Sequence, residues 1–215
     1  MEQITRMCLP LLGGTRITLT VFFATLLFAM PLGFLLALGR TSKKISPLSK
    51  TIEIYSWIMR GSPLMLQLFF VYFVLPKFGI LLPDLVAALV AFILNYAAYF
   101  SEIFRAGIQS IPKGQYEAAK TLGFTNRQML RRIIFPQMIK RVLPPVCNET
   151  ITLVKDTSLV YVLAMNDLLR EARTIVQREF TMMPFLLAAL FYLAMTFVVN
   201  RIFAQLEAHY ARYRE

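Results

Sequence analysis

The stretch QYEAAKTLGFTNRQMLRRIIFP, residues 115–136, decides how this chain is read. It is basic, polar and punctuated, and it lies between two apolar blocks. Pro112 and Gly114 break the preceding helix, since proline removes a backbone donor and glycine costs conformational entropy. Gln115 to Leu122 reads as a short helix. Glu117 falls in its first turn, where a carboxylate suits the positive end of the helix dipole. Ala118 and Ala119 are small and permit close approach of another surface. Gly123 stands where a left-handed C-cap belongs. Thr125-Asn126-Arg127-Gln128 then forms a capping box for a second helix. That helix carries Met129, Leu130, Ile133 and Ile134 on one side and Arg127, Arg131 and Arg132 elsewhere, and Pro136 is expected to stop or kink it. Helix, tight turn, helix has two physical uses. It is either a basic amphipathic hairpin lying on a bilayer or a docking element for a soluble partner.

The flanking blocks are membrane-like. Of the 215 residues 57% are apolar, above the roughly 45–50% of a soluble domain, yet the net charge is +11. The charges sit between apolar runs. Ile17 to Leu38 is 22 residues without a charge and Thr181 to Asn200 is 20, and a spanning helix needs roughly 20. The expectation is an all-α integral membrane bundle, a single domain over 1–215. Five transmembrane helices are expected at about 17–39, 52–76, 84–104, 143–164 and 183–203. The loops 40–50 and 105–142 and the tail from 201 hold 15 Lys and Arg, whereas 1–16, 77–83 and 165–182 hold 6. Excess basic residues mark the cytoplasmic side, so the N-terminus is expected outside and the C-terminus inside. Gly61 and Pro63 are expected to bend the second span, with Arg60 beside the bend either lining a pathway or snorkelling.

Other classes are disfavoured. The first apolar run is too long for a cleavable signal, and no small-x-small site precedes it. Cys8 and Cys147 are too few for a disulfide framework or metal site, and His209 reads as a solvated or interfacial side chain in the charged tail. No phosphate-cradling loop and no nucleophile–base pair are present, so the chain reads as neither an ATPase nor another enzyme. The basic charge follows membrane topology, so nucleic acid is not an expected partner. There is no internal repeat, and five helices enclose a pathway most easily by pairing with a second copy.

Polar residues inside spans are costly and usually face a bundle interior or water. Asn148, Glu149, Thr152, Lys155 and Asp156 fall within an arc of about 120° on the fourth span. Asn95, Tyr99 and Glu102 share a face of the third, Tyr192, Thr196 and Asn200 a face of the fifth, and Gln67 lies beside the bend of the second. The stripes read either as a substrate pathway or as a structural hydrogen-bond network, and Glu102 has an i, i+3 partner in Arg105. Tyr55, Trp57 and Tyr72 read as interface anchors. Asn166 to Phe180 reads as a short external amphipathic helix, part of a gate or resting on headgroups.

Several segments together resemble a family. Glu117-Ala118-Ala119, Gly123, then Ile133-Ile134-Phe135-Pro136 is similar to the EAA loop of permease subunits of bacterial ABC importers, E-A-A, three residues, G, nine residues, I-x-L-P. Only Phe135, where leucine is usual, departs from it. Arg60-Gly61-Ser62-Pro63-Leu64 with Gln67, Tyr99 to Ile108, and Lys155-Asp156-Thr157-Ser158-Leu159 resemble segments of the polar amino acid uptake subfamily. The resemblance implies a type I ABC importer permease fold in the bacterial cytoplasmic (inner) membrane. It implies coupling through Glu117, Ala118, Ala119 and Gly123 to two separate ATP-binding cassette subunits, which bind the ATP and Mg; no cofactor is implied in this chain. It further implies a second permease subunit, identical or homologous, and an external substrate-binding protein that delivers an amino acid. The polar residues named above, Gln67 included, are the expected pathway. An ion-coupled carrier using Glu149 or Asp156, or a non-transporting scaffold, are the rival readings.

Overall fold

The computed structural model describes residues 2–41 and 46–211, and all its regular structure is helical. Lys43, Lys44, Arg212 and Arg214, counted above toward the cytoplasmic charge, lie outside the described residues. Helix α1 spans Glu2–Thr41 and α2 Ser46–Gly61. Helix α3, Leu64–Phe69, continues through a π-helical turn at Phe70–Val74 and a 3-10 turn at Leu75–Phe78. Helix α4 is Asp84–Gln109 and α5 is Lys113–Thr121. Helix α6, Asn126–Met129, runs through a π-helical turn at Leu130–Ile134 into α7, Phe135–Asp156, and a 3-10 turn at Thr157–Leu163. Helices α8, Leu168–Glu179, and α9, Met183–Ala211, complete the chain.

Small residues set the central contact. Ala29, Gly33 and Ala37 recur every four residues on one face of α1 and are buried, as are Ala87, Ala91, Ala97 and Ala98 of α4. Apolar helices gain little by burying oil in oil, so association in a membrane rests on close van der Waals packing between such faces. At Gly33 the approach is so close that an added Cβ would lie 2.6 Å from the Phe100 Cβ. Helix α4 also packs on α2, α3 and α7 and is the axis of the bundle. The outward faces of α1 and α9 stay apolar and exposed, with Phe23, Leu27, Leu35, Leu190 and Phe197 among them, as lipid-facing surfaces should be.

The expected five spans are not all recovered as spans. Among the described residues three helices are long and apolar enough to cross a membrane: Met7–Thr41, Asp84–Gln109 and Met183–Tyr210. Pro47–Gly61 and Leu64–Phe78 make a fourth if taken as one span bent by 104°. Gly61 and Pro63 do bend this segment, and sharply, because Pro63 supplies no donor to continue the helix. The expected span at 143–164 has a different form. Helix α7 starts at Phe135, ends at Asp156 and carries Lys140, Arg141, Glu149, Lys155 and Asp156, too many charges for a lipid-exposed span. Pro136 does not stop the helix. It lies in the first turn of α7, directly after the π-helical turn, so helix runs on from Asn126 to Asp156.

Helix α1 begins well before the expected Ile17, because its first turns have a partner. Met7 and Leu11 pack with Leu168, Ala172 and Ile175 of α8 and Ala188 of α9. The amphipathic segment after Asn166 is therefore a helix held by protein. Asp167 caps it, accepting hydrogen bonds from the N–H groups of Leu169 and Arg170 at 3.1 Å, while the Leu168 N–H donates to Thr18 Oγ1 at 3.2 Å. Asp167 is wholly buried, and burial pushes its carboxyl up to about 6, more than the backbone donors pull it down.

Candidate functional site

The break between α2 and α3 exposes backbone groups inside the bundle, and two amides satisfy them. Gln67 Nε2 donates to the carbonyls of Met59, at 2.8 Å, and Ser62, at 3.2 Å, and lies 2.9 Å from Ser62 Oγ. Asn95 Nδ2 donates to the same Met59 carbonyl at 2.9 Å and to Gln67 Oε1 at 3.0 Å. Without water, each freed carbonyl would otherwise cost a few kcal/mol, so these amides hold the break open.

The break forms one wall of an open cleft of ≈ 500 Å³. Arg60 and Pro63 stand on that wall, Asn95, Tyr96 and Tyr99 come from α4, and Glu149, Thr152 and Asp156 come from the polar face of α7. Helix α7 presents this face because Met138, Val142, Val146, Thr150 and Leu153 turn inward on its other side. Tyr96 OH donates to Asp156 Oδ2 at 2.8 Å. The Arg60 guanidinium lies 5.6 Å from the centre of the Tyr99 ring, a cation–π distance. The cleft thus holds a cation on one wall and two carboxylates on another, an arrangement suited to a dipolar ligand.

Not every polar residue of the stripes meets the cleft. Asn148 and Lys155 are exposed and outside its lining, since each lies about 100° around α7 from a lining carboxylate. Gln67 reaches the cleft region only through the break it braces. Glu102 sits beyond the lining, among arginines. It pairs with Arg105 at 2.6 Å, with Arg60 at 3.6 Å, and with Arg40. On α9, Thr196 bonds its own helix and Asn200 faces Cys147 of α7. Tyr55 donates to the Leu94 carbonyl of α4 at 2.5 Å, so this hydroxyl braces a helix pair. Tyr96 escaped the sequence reading, and Arg60, for which lining and snorkelling were both open, lines the cleft. The signal for Tyr96 was its position four and eight residues after Phe92 and Ala88 on the buried face of α4; that for Arg60 was its place beside a predicted bend.

The loop at 113–134 holds the second set of candidate residues. The capping box at Thr125 is complete: its Oγ1 accepts from the Gln128 N–H and its N–H donates to the Gln128 side chain. Gly123 has φ +75°, and an added Cβ there would meet nothing within 4 Å. Its requirement for glycine is conformational alone. Glu117 and Ala118 are exposed on α5, whereas Ala119 is 1% exposed and packs inward. The inward alanine lets α5 close on the π-helical turn, and the hairpin presents Glu117, Ala118 and Lys120 outward. Tyr116 OH donates to the Ile108 carbonyl at 2.9 Å, tying the hairpin to the end of α4. Among the described residues no group of three His, Cys, Asp or Glu side chains is placed to hold a metal ion.

The chain is 37% identical over 203 residues to the L-cystine transport system permease protein TcyB of Bacillus subtilis, covering 94% of this chain and 86% of that one. It is likewise 37% identical over 194 residues to the arginine transport system permease protein ArtQ of the same organism, covering 89% and 88%. A crystal structure of an amino acid ABC transporter with histidines superposes with a TM-score of 0.88 at 32% identity over 97% of both chains. The MetNI methionine ABC transporter, at 17% identity and a TM-score of 0.73 over 97% of this chain and 98% of that one, shares the fold. A model of the inner membrane component of binding-protein-dependent transport systems matches residues 29–212. The chain belongs to that family: it is an inner-membrane permease component of a binding-protein-dependent ABC transport system.

Proposed function

We propose that this permease forms half of the translocation pathway of an ATP-driven importer for polar amino acids. The cleft is its share of the pathway. The observation that carries this reading is one helical run. From Asn126 in the exposed hairpin to Asp156 in the cleft, helix continues through a π-helical turn, so motion of the hairpin moves the polar face of α7 directly. Relatives named as permeases for cystine and arginine support an amino-acid substrate.

In this reading Glu117 and Ala118, displayed by the turn at Gly123, dock on a separate ATP-binding cassette subunit, with Ala119 allowing the hairpin to close. Two such subunits bind ATP and Mg and drive a pair of permeases, identical or homologous. An external binding protein delivers the substrate. Helix α7 and the 3-10 turn after it serve as a fifth crossing, sheltered from lipid by the pathway it lines; five crossings put the ends on opposite sides, and the excess of basic residues in loops 40–50 and 105–142 supports an N-terminus outside and a C-terminus in the cytoplasm. Asn95, Tyr99, Glu149, Thr152 and Asp156 contribute to the lining, Gln67 and Glu102 brace it, and Asn148 and Lys155 extend its polar rim toward the second permease. The chain itself catalyses no reaction.

The test is uptake of radiolabelled L-arginine, L-glutamine and L-cystine by proteoliposomes holding the permease with its ATPase and binding protein. Uptake that needs internal ATP is expected. Uptake driven by a proton or sodium gradient without ATP would replace this reading with an ion-coupled carrier, and no uptake of any kind would favour a scaffold.

A further inference from the structure

The π-helical turn that joins the hairpin to α7 carries two arginines that nothing in the protein neutralises. Arg131 and Arg132 are exposed and make no hydrogen bond or ion pair among the described residues. Arg127, one turn earlier, is exposed and equally unpaired. Other arginines of this region are engaged: Arg105 with Glu102 and Gln109, and Arg141 with the Ser110 carbonyl. Residues 105–142 hold eight Lys and Arg against one carboxylate, Glu117, so the turn has no internal counter-charge to call on.

The depth of the pair in the membrane follows from its neighbours. Phe135, four residues after Arg131, is 38% exposed, and its ring stands edge-on to that of Phe34 in α1 with centroids 5.6 Å apart. Phe34 belongs to the charge-free run of α1 and precedes Leu35, which is 63% exposed on the lipid-facing side. Phe135 therefore marks the edge of the apolar layer. From there α7 runs inward along α4, passing Gly107 at Met138 and Val142 and reaching Tyr96 at Asp156. The turn before Phe135 leads the other way, so Arg131 and Arg132 stand about 5 Å further out, at headgroup depth. A guanidinium presents forked donors that match phosphate oxygens in two-point geometry, and its apolar stem can lie along an acyl chain while the head stays polar.

We infer that this turn is a binding site for an anionic phospholipid, with the headgroup phosphate on Arg131 and Arg132 and an acyl chain against Phe135. A second copy of the chain would set like charge against like, and a soluble partner would leave the exposed edge of Phe135 unmatched. Lipid bound there tethers the start of α7 to the bilayer surface and leaves Glu117 and Ala118 of α5 uncovered.

The experiment uses the full chain reconstituted in phosphatidylcholine bilayers without other subunits. Trp57 is the sole tryptophan, so Trp57→Phe combined with Phe135→Trp puts a single fluorophore beside the two arginines. Brominated phosphatidylglycerol and brominated phosphatidylcholine are added in turn at equal mole fraction, and quenching reports which lipid touches position 135. Quenching should show the anionic lipid enriched by at least about fivefold, roughly what one basic residue contributes near a charged surface. Arg131→Gln with Arg132→Gln should bring the two lipids to equal quenching, Arg131→Lys with Arg132→Lys should keep part of the enrichment, and high salt should weaken it. Spin-labelled lipids repeat the comparison with Phe135 in place: the motionally restricted fraction should fall in the double Gln variant for the phosphatidylglycerol label alone. A Phe135→Trp protein that does not fold leaves the decision to this second measurement. Equal contact of the two lipids when both arginines are present, or enrichment that survives the double Gln variant, overturns the site. No enrichment, together with loss of the ATPase when the double Gln variant is purified, overturns it and gives the arginines to that subunit.

Discussion

Replacing Gly33 with alanine tests the packing that positions the site. The new methyl would lie 2.6 Å from the Phe100 Cβ, 2.9 Å from the Ala97 carbonyl oxygen and 3.0 Å from the Ser101 N. Two of these atoms are backbone and the third is a Cβ, so none can turn aside. Carbon atoms rest roughly 3.5–4.0 Å apart, so α1 and α4 must separate locally by about 1 Å. Such a gap forfeits a quarter to a half of each contact it opens, and overpacking of this kind costs about 1–3 kcal/mol. Gly13 supplies a control in the same helix, because a Cβ there meets nothing within 4 Å. Gly13→Ala should stabilise α1 by roughly 0.5–1 kcal/mol through lost unfolded-state freedom. Gly33→Ala gains the same term, so the two variants should differ by the overpacking cost alone, about 1–3 kcal/mol, when unfolding in mixed micelles is followed by circular dichroism. Equal stabilities would refute the close helix contact and, with it, the placement of Tyr96 and Tyr99 against the cleft.

Gly123→Val should lower stability by about 1–2 kcal/mol, the cost of a left-handed β-branched residue, leave the permease folded because the site is open, and lower ATP-coupled uptake several-fold by distorting the hairpin turn. Normal uptake per ATP hydrolysed would argue that the turn is not used. Asn95→Ala should cost about 1–3 kcal/mol by leaving Gln67 Oε1 without its donor and the Met59 carbonyl with one donor in place of two, read as a lower unfolding midpoint, whereas an unchanged midpoint would mean that the break is braced otherwise. Asp167 carries a pH signature. Burial pushes its folded carboxyl up to about 6, above the ordinary aspartate range, so the folded state binds the proton more tightly and loses stability as pH rises from about 4 through 6. The wild type should melt higher at pH 5 than at pH 7, and Asp167→Asn should flatten that difference; parallel profiles for the two proteins would disprove the assignment.

Much of this was legible in the residues, and what was missed has physical causes. The charge-free runs Ile17 to Leu38 and Thr181 to Asn200 do lie in α1 and α9, because lipid demands uniform apolarity and no partner can override it. The cap at Thr125, the positive φ at Gly123 and the bend at Gly61–Pro63 followed from local backbone chemistry. Features set by tertiary contact were hidden. The first turns of α1 are helical because α8 and α9 cover Met7 and Leu11. The helix passes Pro136 with a π-helical turn before it, a rare geometry that periodicity does not announce. In the site, helical spacing identified a polar face of α7 but not its centre, so Asn148 and Lys155 joined residues that the cleft separates from them. Side-chain partners were equally invisible. Nothing in sequence spacing says that Asn95 and Gln67 meet at the Met59 carbonyl, or that Glu102 gathers arginines from three helices.

The central claim is that the hairpin at 113–134 couples this permease to a separate ATPase, and Glu117 is where it is most directly tested. The side chain is exposed and makes no ion pair among the described residues, so Glu117→Lys reverses the surface charge without disturbing the fold. The measurement is ATP hydrolysis and uptake together, in proteoliposomes holding the permease, its ATPase and its binding protein. Loss of the ATPase on purification, or hydrolysis that no longer drives uptake, with an unchanged melting temperature, is the predicted result. Wild-type uptake per ATP in the Glu117→Lys protein would contradict the account.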